Sequence, residues 1–210
     1  MTSTTIIVLA AGKGTRMRSA ASKVLHRAAG RSLLGHVLNA AAALKPARAI
    51  VVNGPGQADV ADEALRHLPS AAIVTQQERL GTGHAVSMAL PGLKKFSGTV
   101  MVLYGDTPLL SAETLKALAA QVNAKTPFAV LGFEAEDPTG YGRLLRNKAG
   151  DLTGIREELD ASKKEKAIKL CNSGVIALDA GLLAQLLPLV GNKNAKGEYY
   201  LTDLVALAVK

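Results

Sequence analysis

Tryptophan is absent from this 210-residue chain, and its three Phe and four Tyr all lie at or beyond Phe96. Proteins that bind single-stranded nucleic acid stack bases on aromatic platforms set beside basic stripes. Neither feature is here, so a sequence pI near 9.7 does not point to nucleic acid. Cysteine is nearly absent too. Cys171 is alone and cannot form an internal disulfide, and four scattered His lack zinc-ligand spacing. No apolar run approaches the ~20 residues of a membrane span, and the N-terminus carries no charged leader with a small-residue cleavage site. These absences predict a soluble, cytoplasmic chain with no membrane partner.

Acidic residues are also missing before Asp59, whereas Lys13, Arg16, Arg18, Lys23, Arg27, Arg31, Lys45 and Arg48 precede it. Those eight account for the whole formal charge of +8, and the rest of the chain is balanced. A solvated basic face explains some of them. Lys13, Arg16 and Lys23, however, stand beside glycines, which favours a compact, phosphate-rich small molecule as the partner.

What is present in quantity is apolar residue, 48% of the chain, enough for a sizeable core. Strand-like runs occur in "TTIIVLA", "RAIVVNG", "AAIVTQQ", "TVMVLYG", "PFAVLGFEA" and "CNSGVIALD". Helical stretches alternate with them in "SLLGHVLNAAAAL", "QADVADEALRHL", "GTGHAVSMAL", "SAETLKALAAQV" and "AGLLAQLLPLV", the fourth opening on Ser111 as a cap. Such alternation predicts an α/β chain with a mostly parallel sheet covered on both faces. Two segments break the rhythm. "GYGRLLRNKAGDLTGIREE" reads as a hairpin turned at "NKAGD", and "ASKKEKAIK" as a solvated helix or loop.

Ligands of open parallel sheets collect at the carboxyl ends of the strands. Three loops qualify: "LAAGKGTRM", "QQERLGTGHA" and "YGDTPLL". The first lacks the third glycine of a dinucleotide fingerprint and the Gly-Lys-Ser/Thr ending of a P-loop. Gly12 and Gly14 nonetheless allow close backbone approach to a triphosphate, with Lys13, Arg16 and Lys23 to neutralise it; the alternative is an ordinary strand-to-helix turn. Asp106 closes a buried strand and suits Mg²⁺, which takes one or two carboxylates plus phosphate oxygens and water; the alternative is a turn-forming Asp before "TP". Cys171 reads as a packing residue, and His26 and His84 as buried, satisfied side chains without a catalytic role.

Together the loops resemble the sugar nucleotidyltransferase family, whose signature is a "LAAGxGTRM" loop followed by a lysine. "QQERLGTGHA", "LYGDTPLL", "DPTGYGRLLR", "CNSGVIA" and "NAKGEYYLTD" are similar, in order, to the uridyltransferase domains of bifunctional N-acetylglucosamine-1-phosphate uridyltransferase/glucosamine-1-phosphate acetyltransferases. The resemblance implies a Rossmann-like three-layer fold with a mixed sheet, helices on both faces and an inserted β-hairpin. It implies UTP, N-acetylglucosamine 1-phosphate and UDP-N-acetylglucosamine as partners, with Mg²⁺ as cofactor. The backbone of Leu9, Ala10, Ala11 and Gly12 then meets uracil, Gln76 reads its edge, and Gly81 and Thr82 lie near base and sugar. Arg16 and Lys23 hold the triphosphate with Lys13 and Gly14 beside them. Tyr104, Gly105 and Asp106 form the ribose and metal segment, and Gly142, Glu157 and Asn172 hold the N-acetylglucosamine part. Plainer uses stay open: Gln76 and Asn172 as strand-end partners of the backbone, Glu157 as a partner of Arg156 or a lysine, and Gly142 as a turn glycine.

The implied chemistry is in-line displacement at the α-phosphorus of UTP, catalysed by Arg16, Lys23 and Mg²⁺ at Asp106 without a protein nucleophile. Ser22 stands where the family usually has Pro, and "NSG" replaces "NTG". Residues 1–210 are expected to form one domain that lacks its C-terminal end, where the family places an asparagine at the metal, and to carry no β-helical acetyltransferase domain. Two other readings are transfer of another nucleotide or to another sugar phosphate, and a non-catalytic module that binds nucleotide sugar.

Overall fold

The first strand, β1 (Thr4–Leu9), is the axis of the fold, and every side chain from Thr5 to Leu9 on it is buried. Its two neighbours are parallel: β4 (Arg48–Asn53) on one side and β6 (Thr99–Tyr104) on the other, with β5 (Ala72–Thr75) parallel to β4. The computed structural model describes residues 3–12, 14, 17, 19 and 21–209. β10 (Leu170–Asp179) runs antiparallel to β6 and carries both β7 (Phe128–Glu134) and the hairpin β8 (Arg143–Arg146) and β9 (Leu152–Arg156). The result is an eight-stranded mixed sheet in the order β5-β4-β1-β6-β10-β8-β9, with β7 also paired to β10. Only β9 and β10 run against the common direction, so the expectation of a mostly parallel, mixed sheet with an added hairpin holds.

Alternation along β1 sorts the core into two layers, because successive strand side chains face opposite sides. Ile6, Val8 and Ala10 pack with Leu34, Val37 and Leu38 of α1 (Leu33–Ala42), Val60 of α2 (Ala58–His67) and Leu115 of α4 (Ala112–Gln121). Ile7 and Leu9 pack with Val86 of α3 (Thr82–Ala89), Leu183 of α6 (Ala180–Leu186) and Leu204 of α7 (Asp203–Ala208). Each fully buried Leu, Ile or Val contributes roughly 1.5–3 kcal/mol. A small third cluster, Leu144, Ile155 and Val205, seats the hairpin against α7.

Local chemistry sets the boundaries. Ser111 accepts from Thr114 N at 3.1 Å, the cap expected at the start of α4. "AGLLAQLLPLV" stays α-helical only to Leu186 and then tightens into a 3-10 turn over Leu187–Leu189, where Pro188 has no N–H to give. The solvated segment becomes the short helix α5 (Lys163–Lys166), opened by a capping box between Ser162 and Glu165. A two-residue ribbon, β2 (Arg27–Ala28) with β3 (Arg31–Ser32), and α7 had no strong periodic signal. Arg48, one of the eight early cations, donates to the carbonyls of Gly92 (2.6 Å) and Lys94 (3.1 Å) and lies over Phe96. Cys171 is fully buried, and its thiol is pushed up by that burial, as a packing residue should be. His26 departs from its reading as a satisfied side chain: its Nε2 is buried with no partner among the described residues. No helix among them is long and apolar enough to cross a membrane.

Candidate active site

β1, β4 and β6 end level with one another, since Leu9 is opposite both Val52 and Tyr104. Beyond that edge Ala10 N donates to Val52 O and Gly105 N to Leu9 O, so the chain leaves β1 still stitched to both neighbours. A cleft of about 290 Å³ opens there, lined by Leu9, Ala11, Gly12, Lys23, Val24, Gln76, Arg79, Gly81, Thr82, Ala85, Tyr104, Asp106 and Glu198. Three sequence-distant loops thus meet in one hollow.

The glycine loop folds back on Lys23. Gly14 has φ +60°, and a Cβ there would meet the Lys23 Cβ at 2.6 Å, so glycine is needed for both conformation and approach. Lys23 begins a 3-10 turn and sends its Nζ to 2.6 Å from Asp106 Oδ2. Lys13 and Arg16 lie outside the described residues. Ala10 is almost fully buried with its amide already spent on Val52, so it serves the loop from beneath rather than offering that N–H to a ligand. Gly105, packed between Leu34, Val24 and the Leu9 carbonyl, is likewise a support for its neighbour Asp106.

Gln76 is 4% exposed, and its amide nitrogen donates to Gly81 O at 3.0 Å and approaches His84 Nδ1 at 3.1 Å. Gly81 has φ +108°, and its Cα touches the backbone of Tyr199 so closely that a Cβ would fall 2.6 Å from the Tyr199 carbonyl. Thr82 Oγ1 accepts from Leu201 N at 2.9 Å, which ties the "EYYLTD" segment to the start of α3. The Tyr104 hydroxyl is pushed well above the ordinary phenol range, first by burial, against the opposing effect of the Thr82 hydroxyl. Its ring lies on Gly174, where the strand β10 bulges between Asn172 and Ile176.

Gly142, Glu157 and Asn172 are not among the residues lining that cleft and form a second group of their own. Asn172 N donates to Gly142 O at 2.8 Å, and a Cβ on Gly142 would lie 3.5 Å from Glu157 Oε1 and 3.6 Å from Asn172 Cβ. Gly142, Glu157 and Asn172 are therefore neighbours, brought together from the loop before β8, the residue after β9, and β10. Glu157 pairs with neither Arg156 nor a lysine: Oε1 accepts from Thr202 Oγ1 at 3.0 Å, while Arg156 goes to Glu165. Burial raises the Glu157 carboxyl above its ordinary value, with Thr202 opposing. Asn172 Oδ1 caps the bulge through Gly174 N at 3.0 Å.

Sequence reasoning missed three residues here. Arg79 Nε donates to Ala11 O at 2.6 Å and its guanidinium lies against Gly54, so it clamps the glycine loop. Its only signal was its place in "QQERLGTG". Thr202 had no signal except the resemblance of "EYYLTD". Arg143, 1% exposed, pairs with Glu158 Oε2 at 2.7 Å and donates to the carbonyls of Tyr141 and Lys166, while the same Glu158 oxygen accepts from Gly140 N at 3.2 Å. That pair, buried at Arg143 and partly exposed at Glu158, nails down the loop in front of Gly142.

Among the described residues no group of three or more His, Cys, Asp or Glu is arranged around a common point for a metal. Asp106 and Glu198 are the acidic residues that line the cleft, and Asp106 Oδ1 accepts nothing from the described residues. One carboxylate with phosphate oxygens and water fits the usual manner of Mg²⁺ binding.

A domain model described as MobA-like NTP transferase matches residues 6–169. The bifunctional protein GlmU of Rhodospirillum rubrum is 53% identical over 99% of this chain and 46% of its own length. That of Xanthobacter autotrophicus is 53% identical over 97% of the chain and 45% of its own, and that of Paracoccus denitrificans 52% over 97% and 45%. The chain spans less than half the length of these curated relatives. Among solved structures, a UDP-glucose pyrophosphorylase complexed with UDP-glucose matches with TM-score 0.80 and 16% identity, over 100% of this chain and 87% of its own. An inositol-1-phosphate CTP transferase from T. maritima matches at 0.76 and 20%, over 100% and 82%. Those two likenesses are of fold, and both share the mixed sheet with helices on either face.

Proposed function

Since the chain belongs to the MobA-like NTP transferase domain family, we propose that it transfers a uridylyl group from UTP to N-acetylglucosamine 1-phosphate, releasing pyrophosphate and UDP-N-acetylglucosamine. Residues 1–210 act in this reading as one catalytic unit. The observation that carries it is the convergence of Lys23, Asp106 and Gln76, from three separate loops, on a single cleft at the strand ends. The high identity to GlmU proteins over nearly the whole chain supports the choice of uridine and N-acetyl sugar.

A phosphate oxygen of the sugar 1-phosphate attacks the α-phosphorus of UTP in line, and the bond to pyrophosphate breaks. Both reactants are anions, so positioning and charge stabilisation carry most of the catalysis. Lys23, held by Asp106, supplies a fixed ammonium at the cleft, with Lys13 and Arg16 as further cations of the same loop. Enzymes of this kind generally depend on a divalent cation, and Mg²⁺ at Asp106 would offset negative charge on the phosphate oxygens. Backbone groups of Leu9, Ala11 and Gly12 and the Gln76 amide receive the base. Tyr104 flanks the ribose. Gly142, Glu157 and Asn172 take the sugar: Gly142 leaves space, the Glu157 carboxylate accepts from hydroxyls, and the Asn172 amide nitrogen donates.

The test is pyrophosphate release by the purified protein with UTP, N-acetylglucosamine 1-phosphate and Mg²⁺, beside Asp106→Ala and with CTP, ATP or GTP replacing UTP. Turnover that prefers UTP and falls at least ~100-fold in Asp106→Ala is expected. Preference for another triphosphate, or release indifferent to Asp106→Ala, would overturn the assignment.

A further inference from the structure

Gln76 is a buried amide whose orientation decides what the cleft presents to a base. The Gly81 carbonyl can only accept, so the group 3.0 Å from it must be the amide nitrogen. That spends one N–H. The other points at His84 Nδ1, 3.1 Å away, and requires this ring nitrogen to carry a lone pair, with the imidazole proton on Nε2. The two acceptors exhaust the donors of Gln76. Its Oε1 accepts from nothing among the described residues, although the side chain lines the cleft.

We propose that His84 is a positioning residue which, with the Gly81 carbonyl, locks the Gln76 amide with its carbonyl oxygen free for the ligand and so selects uracil over cytosine. The inference rests on the uridylyl reading of this site. Uracil offers an N3–H donor between two carbonyl oxygens, whereas cytosine offers a bare N3 and an exocyclic amino group. An acceptor-only Gln76 pairs with the first and faces a lone pair in the second. The Gly81 N–H, which also lacks an acceptor among the described residues, complements a uracil carbonyl and conflicts with the cytosine amino group. Turning the amide over to suit cytosine would set Oε1 against the Gly81 carbonyl, which has no proton to give, and against His84 Nδ1 unless the ring changes tautomer.

His84 is itself fixed. It stands in the first turn of α3, whose Gly83 N donates to Tyr199 O at 2.7 Å, and its ring lies 6.5 Å from that of Tyr199. Selection by an oriented hydrogen-bonding group discriminates far better than selection by shape, because the wrong ligand strands a buried polar atom.

The measurement is the ratio of kcat/KM for UTP over CTP in the wild type, His84→Leu, His84→Asn and Gln76→Ala. The wild type should favour UTP by ~100-fold or more. Leu cannot accept and should cut the ratio about tenfold. Asn, whose Oδ1 falls near the Nδ1 position, should restore most of it, which a merely structural role for the ring would not produce. An unchanged ratio in His84→Leu, with Gln76→Ala losing it, overturns the role of His84 and leaves the uridylyl reading intact. A wild type without preference for UTP overturns that reading instead. The ¹⁵N chemical shifts of the His84 ring provide a readout independent of activity: a protonated Nε2 and bare Nδ1 are expected, and the opposite tautomer overturns the proposal even if the leucine variant fails to fold.

Discussion

The cleft at the strand ends and the group of Gly142, Glu157 and Asn172 are built in opposite ways. In the cleft, backbone at Leu9, Ala11, Gly12 and Gly81 forms a floor held by strands in register and by N–H donors such as Ala10 and Gly105, with Lys23, Gln76 and Asp106 set around it. The second group is mostly side chain, with Glu157 held by Thr202, and the loop before Gly142 held by Arg143 and Glu158. A backbone wall is indifferent to many side-chain changes and intolerant of an added Cβ. A side-chain wall is the reverse. The difference also sets how each fails, since a strand ladder shares load over many bonds while the second group depends on single pairs.

Arg143→Met is the strongest way to break that contrast. It removes a guanidinium that is 1% exposed and strands the carbonyls of Tyr141 and Lys166 with Glu158. Disrupting a buried ionic network belongs to the costly class of substitutions, and Tm should fall by roughly 5–10 °C. KM for the sugar phosphate should rise at least ~10-fold, while KM for UTP stays within about threefold. Equal rises in both constants would show that the walls are not independent.

Gly81→Ala tests the other wall with a smaller perturbation. A methyl at φ +108° is strained, and it would lie 2.6 Å from the Tyr199 carbonyl, which cannot swing aside as a flexible side chain would. Thermal denaturation should show a loss of roughly 3–6 °C. KM for UTP should rise about tenfold with the sugar-phosphate KM nearly unchanged, and the converse split would sink the division.

The same contrast explains what was legible in the sequence. Parallel strands buried on both faces read as continuous apolar runs, so β1, β4 and β6 stood out, and the loops after β1, β5 and β6 followed from the strand-end rule. Lys23 and Asp106 carried local signals, glycines before one and a strand before the other. The second group had none. Glu157 and Thr202 are separated by 45 positions, and no periodicity announces that pairing; only family likeness singled out Gly142, Glu157 and Asn172 together. Arg143 was opaque for another reason, because a charged residue in "GRLLR" reads as solvated until the fold shows Glu158 waiting beside it. His26 was read as satisfied, yet its Nε2 lies buried without a partner among the described residues, an outcome set by packing of the loop rather than by composition.

Two consecutive carboxylates sharpen the comparison at its finest grain. Glu158 is held below the ordinary carboxyl range by its hydrogen bond from Arg143, whereas burial pushes Glu157 above it. The signs of their contributions therefore differ. A depressed folded pKa gives stability above the unfolded value that is lost as pH falls, so Glu158 supports the fold at neutral pH. A raised folded pKa gives stability that is complete below the unfolded value, near 4.3–4.5, and is lost as pH rises through the folded one, so Glu157 burdens the fold at neutral pH. Glu157→Gln keeps an acceptor for the Thr202 hydroxyl and removes the charge. At pH 7 it should raise Tm by roughly 1–3 °C, with the gain vanishing near pH 4. The same variant should raise KM for the sugar phosphate severalfold, because the amide oxygen is a weaker acceptor for sugar hydroxyls than the carboxylate. A Tm gain that persists unchanged at pH 4 would mean that burial of charge is not what sets the Glu157 carboxyl, and that this wall, like the other, is governed by shape.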